Sequence, residues 1–321
     1  MELPHDLCLE IASYVPIRPL LAFRVASKAM VEYAKGCKGG PVKIRSLHKW
    51  RACFPNATQA NITGLLLQED DMKYLDKVHD LDMTFCDPYI ECTKMYSFEG
   101  QFVNGTNWFH LPGMKKLTVG SNCYMTDQWL ELFTELEELY IGYFSRTITG
   151  SGFRAMKKLK RLTLNSMLDV KDDAFIGLPV EDLSILRNSL ITDQGIRHLK
   201  RLTKLYLSHV IRVKGHGYEE LPLKQIFVND LEIDRDTFQS FSRIPHIMLS
   251  SCSFLDTSYD MLKNVQSLTV YDSTFEEPTK LLTLPQFMRL KLVRCTPISD
   301  IVKEKMGNRL IEQHHENWGI D

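Results

Sequence analysis

Leu202-Thr203-Lys204-Leu205-Tyr206-Leu207 is one copy of a pattern that runs through most of this chain. Leu-x-x-Leu-x-Leu returns as Leu159-x-x-Leu162-x-Leu164 and as Leu136-x-x-Leu139-x-Ile141. Taking the second position of each copy as an anchor gives Leu117, Leu139, Leu162, Leu183, Leu205, Ile226, Ile247, Leu268 and Leu290, spaced by 21 to 23 residues. Upstream, Val78-x-x-Leu81-x-Met83 fits the same template. Ile62-x-x-Leu65-x-Leu67 has the right residues but lies only 16 positions before Leu81. The 36-residue interval from Leu81 to Leu117 holds either one long repeat or two degenerate ones. Self-similarity at a fixed period near 22 residues is the signature of a repeat architecture.

Alternation over Leu-x-Leu describes a short strand with one buried face. The remainder of each repeat must turn back, and Ile148-Thr149-Gly150, Val170-Lys171-Asp172-Asp173 and Ile191-Thr192-Asp193 supply helix-capping residues where a short helix would begin. One repeat alone leaves an apolar face bare, so neighbours stack to cover it and the strands form a parallel sheet.

Over roughly residues 55–300 the chain resembles the leucine-rich repeat. The resemblance implies an α/β solenoid with a parallel concave sheet and short helices and loops on the convex side. The family's Asn or Cys after the strand is matched by Cys86, Asn122, Asn188, Cys252 and Cys295; Phe144, Met167, Val210, Leu231 and Ser273 stand there in other repeats. Side chains alternate across a strand, so the residue between the last two anchor positions faces the concave surface. That column reads Asp82, Thr118, Tyr140, Thr163, Ser184, Tyr206, Phe227, Met248, Thr269 and Lys291. Tyr206, Phe227 and Met248 are consecutive, and Tyr140, Tyr143 and Tyr271 occupy neighbouring concave positions. Exposed aromatics on a polar sheet are the chemistry of a binding hot spot. The substrate-binding candidates are therefore Tyr140, Tyr143, Tyr206, Phe227, Met248 and Tyr271. Arg289, Lys291 and Arg294 join them at a basic late end, opposite the early acids Asp80 and Asp82.

A separate module precedes the array. Residues 3–34 read LPHDLCLEIASYVPIRPLLAFRVASKAMVEYA and divide into three short amphipathic helices. Leu7, Ile11 and Val15 share a stripe, Pro16 ends the first helix, and Pro19 opens the second. Gly36-Cys37-Lys38-Gly39-Gly40-Pro41 marks a boundary. So few residues do not bury a core unaided, which points to an interaction module. The segment resembles an F-box: Leu3-Pro4 matches its opening, Glu10-Ile11 its first helix, and Leu20-Leu21, Phe23-Arg24 and Ser27-Lys28 its later positions. Pro19 stands in place of the usual Asp and Met30 in place of the usual Trp.

The resemblance implies docking to a Skp-type adaptor and, through it, to a cullin–RING ubiquitin ligase. Leu3, Pro4, Leu7, Ile11, Leu20, Leu21 and Phe23 are the adaptor-contact candidates, and the repeats would hold an unidentified substrate protein. The expected organisation is an F-box at 1–41, a linker and amino-terminal cap at 42–56 with Trp50, Phe54 and Pro55, repeats at 57–297, and a carboxyl-terminal cap at 298–321 with Trp318. The alternative is a leucine-rich-repeat scaffold that sequesters a partner without ligase activity.

Composition narrows the other classes. A net charge of -1 over 321 residues argues against a general nucleic-acid or membrane-surface binder. No stretch has the apolar length of a membrane span, and the amino terminus lacks the basic-then-apolar pattern of a signal peptide. The eight cysteines form no Cys-x-x-Cys pair, so reduced thiols in cytoplasm or nucleus are expected, and three Asn-x-Thr triplets read as chance. No zincin, phosphate-loop, dinucleotide or nucleophile-elbow motif is present. His314-His315 is isolated, so neither a metal nor a cofactor is expected, and the chain reads as non-catalytic.

Overall fold

A computed structural model of the chain describes residues 44–313 apart from 45, 64, 66–68, 84–110, 112, 121–125, 143–147, 168, 211, 217, 255–258, 276 and 286–287. The F-box-like segment and Trp318 lie outside the described residues. Two compact units divide the chain, residues 1–159 and 160–321.

In the first unit the helix Leu47–Cys53 leads into strands β1 (Gln59–Asn61), β2 (Asp80–Asp82), β3 (Lys116–Val119) and β4 (Glu138–Gly142), each parallel to the next. One question left open by the sequence is answered here, and one reading changes. Leu81 lies in register with Leu117, so β2 and β3 are direct neighbours across the 36-residue interval. The first strand centres on Ala60, which pairs with Leu81, and not on Leu65. The working motif is Ala57-x-x-Ala60-x-Ile62, all three buried, and it restores a 21-residue interval to Leu81. Two alanines in anchor positions concealed it, because the small side chain fills the buried slot without adding a leucine to the pattern.

The helix ahead of β1 has a buried face. Leu47, Trp50 and Phe54 are buried, and the Arg51 guanidinium stacks 4.8 Å from the Trp50 ring. Arg51 donates from Nε to the Tyr74 carbonyl at 2.6 Å and from Nη1 to the carbonyls of Phe54, Pro55 and Ala57 at 3.1 to 3.4 Å. One side chain thus serves turn carbonyls that no strand partner reaches.

The second unit carries β5 (Arg161–Asn165), β6 (Asp182–Leu186), β7 (Lys204–Ser208), β8 (Gln225–Asn229), β9 (Glu232–Ile233), β10 (His246–Ser250), β11 (Ser253–Phe254), β12 (Ser267–Tyr271), β13 (Arg289–Val293) and β14 (Leu310–Gln313). Eight of them form a parallel sheet in the order β5-β6-β7-β8-β10-β12-β13-β14, while β9 and β11 pair separately. The sheet is held in one register: Leu162, Leu183, Leu205, Ile226, Ile247, Leu268 and Leu290 are matched strand to strand and are all buried. Full burial of such a side chain is worth about 1.5–3 kcal/mol before conformational entropy is counted. The tail does more than cover the last repeat. Its helix Asp300–Met306 buries Val302 and Met306, and Leu310–Gln313 extends the sheet as β14 with Leu310 beside Leu290.

A period of 21 or 22 leaves little chain for the return path once five residues are in the strand. The return segments are correspondingly short: 3-10 turns at Asp172–Phe175, Tyr218–Glu220, Tyr259–Met261 and Pro278–Thr283, and α-helical turns at Asp193–Arg197 and Arg235–Phe241. Aromatic rings fill the layer behind the sheet. Phe238 packs edge-on to Tyr259 at 5.4 Å, and Phe254 stacks on Phe275 at 5.0 Å.

Candidate protein-docking surface

The outward face of the second unit's sheet carries most of the residues singled out from sequence. Tyr206 lies in register with Phe227, and Phe227 with Met248. The Tyr206 and Phe227 rings stack at 4.5 Å with only 1° between their planes, and both stay half-buried. Parallel strands about 4.8 Å apart set that spacing, so two aromatics at matched positions stack when they share a rotamer. Met248 continues the strip, and Tyr271 follows diagonally on β12, beside Ser250.

The basic candidates separate. Arg289 and Lys291 project outward from β13 two residues apart on one face. Arg294 does not stand with them: its guanidinium clasps Asp272 through two hydrogen bonds of 2.6 Å. That bond and its charge hold the Asp272 carboxyl below the usual carboxylate range despite some burial. In the first unit Tyr140 faces outward from β4, its ring lying over Gly142, where a Cβ would come within 2.9 Å of Cε1. Asp80 is 3.8 Å from Lys116; burial raises its carboxyl above the ordinary value, Lys116 opposes this, and Glu138 and Asp82 add to it. Tyr143 lies outside the described residues, as do all seven adaptor-contact candidates.

Of the Asn and Cys positions after the strands, Asn188, Cys252 and Cys295 form a ladder behind them, while Cys86 and Asn122 lie outside the described residues. The Asn188 amide donates to the carbonyls of Met167 at 2.5 Å and Val170 at 3.2 Å in the repeat before it. Its oxygen accepts from the backbone of Leu190 at 2.8 Å and Ile191 at 2.7 Å. The Cys252 thiol faces the carbonyls of Val228 and Ser250, and Cys295 those of Val270 and Val293. Burial pushes both thiols up, so they are hydrogen-bond donors here rather than nucleophiles.

Two further columns were not recognised as columns from sequence, although Asp172, Asp193 and Arg294 were each named there in another role. Ser166, Arg187, His209, Asp230, Ser251, Asp272 and Arg294 follow seven successive strands of the sheet, each with φ between 48° and 62°. Gly, Asn, Asp and His are the residues enriched in this left-handed conformation, and only His209, Asp230 and Asp272 of the column belong to that set. The second column is acidic. Asp127 accepts from the backbone of Thr149, Gly150 and Gly152 and from the Thr149 hydroxyl, and Asp172 and Asp193 reach forward in the same way to Thr192 and to Lys214 and Gly215. Asp at the start of the return segment, in the repeats that begin with β3, β5 and β6, was its visible signal. Of the expected helix caps, Thr192 accepts from the Gln194 backbone, while Gly150 and Lys171 cap without a side chain.

Among the described residues no group of three or more His, Cys, Asp or Glu side chains is arranged to hold a metal ion, and no helix is long and apolar enough to cross a membrane. On the helix side, a polar cavity of about 320 Å³ is lined by Arg235, Arg243, Lys263 and Asp260 among others.

No family model and no curated protein matches the chain. Among solved structures, an internalin, inlF, of Listeria monocytogenes superposes with a TM-score of 0.59 at 13% identity, over 98% of this chain and 95% of that one. Internalin C2 of the same organism gives 0.38 at 15% identity over 68% and 83%. A chain of the octameric complex of Latrophilin 3, Unc5D and FLRT2 (LRR) gives 0.48 at 16% identity over 77% and 86%. The inlF superposition and the strand register establish a leucine-rich-repeat fold.

Proposed function

We propose that this chain is the substrate-recognition subunit of a Skp–cullin–F-box ubiquitin ligase. The outward sheet face takes a target protein, and the amino-terminal module docks the adaptor through Leu3, Pro4, Leu7, Ile11, Leu20, Leu21 and Phe23. The observation that carries the receptor half is the Tyr206–Phe227 stack, held half-buried on a sheet face with Met248 beside it. Flat apolar rings kept at a surface in fixed orientation contribute contact area at little entropic cost. The ligase half rests on the order of Leu3-Pro4, Leu20-Leu21, Phe23-Arg24 and Ser27-Lys28 ahead of a leucine-rich-repeat array. The chain needs no chemistry of its own in this role. Tethering raises the effective concentration of the target's lysines at the conjugating enzyme. The work is placed in cytoplasm or nucleus, with neither cofactor, nucleic acid nor membrane involved.

Pro19 and Met30 favour a second reading. They remove a helix cap and a large core side chain from the module, as suits a scaffold that holds its partner without a ligase. A pull-down with a purified Skp-type adaptor separates the two. Capture by the wild-type chain and loss in a Leu3→Ala/Pro4→Ala variant is the expected result. A folded wild-type chain that captures no adaptor overturns the ligase reading and leaves the scaffold.

A further inference from the structure

The outward face carries a charge pattern that specifies its occupant more narrowly than a protein in general. From β7 to β13 the outward positions include Lys204, His246, Arg289 and Lys291 and no carboxylate. Of the carboxylates at the strand ends beside them, Asp230 lies 2.8 Å from His209 Nδ1 and Asp272 is clasped by Arg294. On β6, Asp182 sits in register between the cations Arg161 and Lys204. The strand positions around the Tyr206–Phe227–Met248 strip therefore carry the cations Lys204, Arg289 and Lys291 and no acid. Such a surface steers acidic partners towards it and penalises basic ones.

We propose that the occupant is an extended acidic segment of the target. An aromatic or long aliphatic side chain rests on Tyr206, Phe227 and Met248, and carboxylates on either side meet Lys204 and the Arg289–Lys291 pair. This rests on the reading of the face as the target-binding surface. Spacing supports it. Lys204 and Arg289 share one row of the sheet four strand steps apart, which is about 19 Å at the usual strand separation. An extended chain rises about 3.3 Å per residue, so carboxylates roughly six residues apart reach both ends with the anchor between them. A sheet face, unlike a sheet edge, offers no unpaired backbone groups. Affinity must then come from side chains, which here means one apolar anchor and its charged flanks.

The test uses the full-length chain to select from a displayed library of random 12-residue peptides, with the Tyr206→Ala/Phe227→Ala variant as counter-selection. Enriched peptides are expected to carry an aromatic or aliphatic residue bracketed by acids about six apart. A synthetic consensus peptide should bind at least tenfold more weakly to a Lys204→Glu/Lys291→Glu variant whose circular dichroism and thermal midpoint match wild type. A peptide with lysines in place of its acids should regain binding to that variant. Peptides that need Tyr206 and Phe227 but are neutral or basic, or that ignore the charge reversal, overturn the acidic occupant and leave the docking face standing. Selection of no peptide dependent on Tyr206 and Phe227 overturns the docking face and this proposal with it.

Discussion

Asn188 joins two repeats through a single amide. Its four hydrogen bonds serve carbonyls and amides that the strands leave unpaired, and its side chain is buried. Replacement by Ala leaves those backbone groups dry and without partners. At about 0.5–1.5 kcal/mol for each net bond, Asn188→Ala is expected to cost about 2–6 kcal/mol. Urea unfolding followed by circular dichroism reads this as a lower midpoint, and an unchanged midpoint would show that water takes over the amide's role. The same logic makes a thiol acceptable at Cys252 and Cys295, where a donor is needed more than an acceptor. Gly152 is fixed by a different constraint: a Cβ there would stand 2.3 Å from the Asp127 carbonyl oxygen, in the turn that the Asp127 carboxylate holds.

At the level of elements, the strands are uniform and the return segments are not. From β3 to β13, apart from the short pair β9 and β11, each strand buries its second and fourth residues and is five residues or fewer. The return segments range from three-residue 3-10 turns to the seven-residue helix Arg235–Phe241, because they need only reach the next strand and bury an apolar side chain on the way. The last element is the exposed case. Helix Asp300–Met306 and β14 shield Leu290, Leu292 and Val293, all buried. A chain ending at residue 298 would present β13 as an unpaired apolar edge, which is a template for association. Such a truncation is expected to lower the thermal midpoint and to elute as aggregate in size-exclusion chromatography. A monomeric truncation with an unchanged midpoint would mean that the last repeat is self-sufficient.

On the scale of the molecule, stability in a stacked array is a sum of repeat terms and nearest-neighbour terms. Within the second unit, β7, β8 and β10 have a hydrogen-bonded strand on each side, and β14 has β13 as its neighbour on one side in the strand order. Backbone amide exchange should then be slowest in β7, β8 and β10 and faster through β13 to β14. Equal protection across these strands, lost in one step, would contradict nearest-neighbour behaviour.

The anchors from Leu81 to Leu290 were legible in the sequence because a short strand with one wet face writes its own period into the chain. That period determined the fold class, the inward residues and the outward column that includes Tyr206, Phe227 and Met248. It did not determine which strand neighbours which across the 36-residue interval, since an insertion lengthens the return path without moving the strand. Nor did it reveal the repeat at Ala57-x-x-Ala60-x-Ile62, where the inward slots are filled by small side chains. Whether two outward rings merely adjoin or stack, and whether Arg294 meets a ligand or Asp272, depends on register and rotamer between repeats. Those are contacts between residues 21 or 22 apart in the chain and one strand apart in space, and only the assembled sheet brings them together.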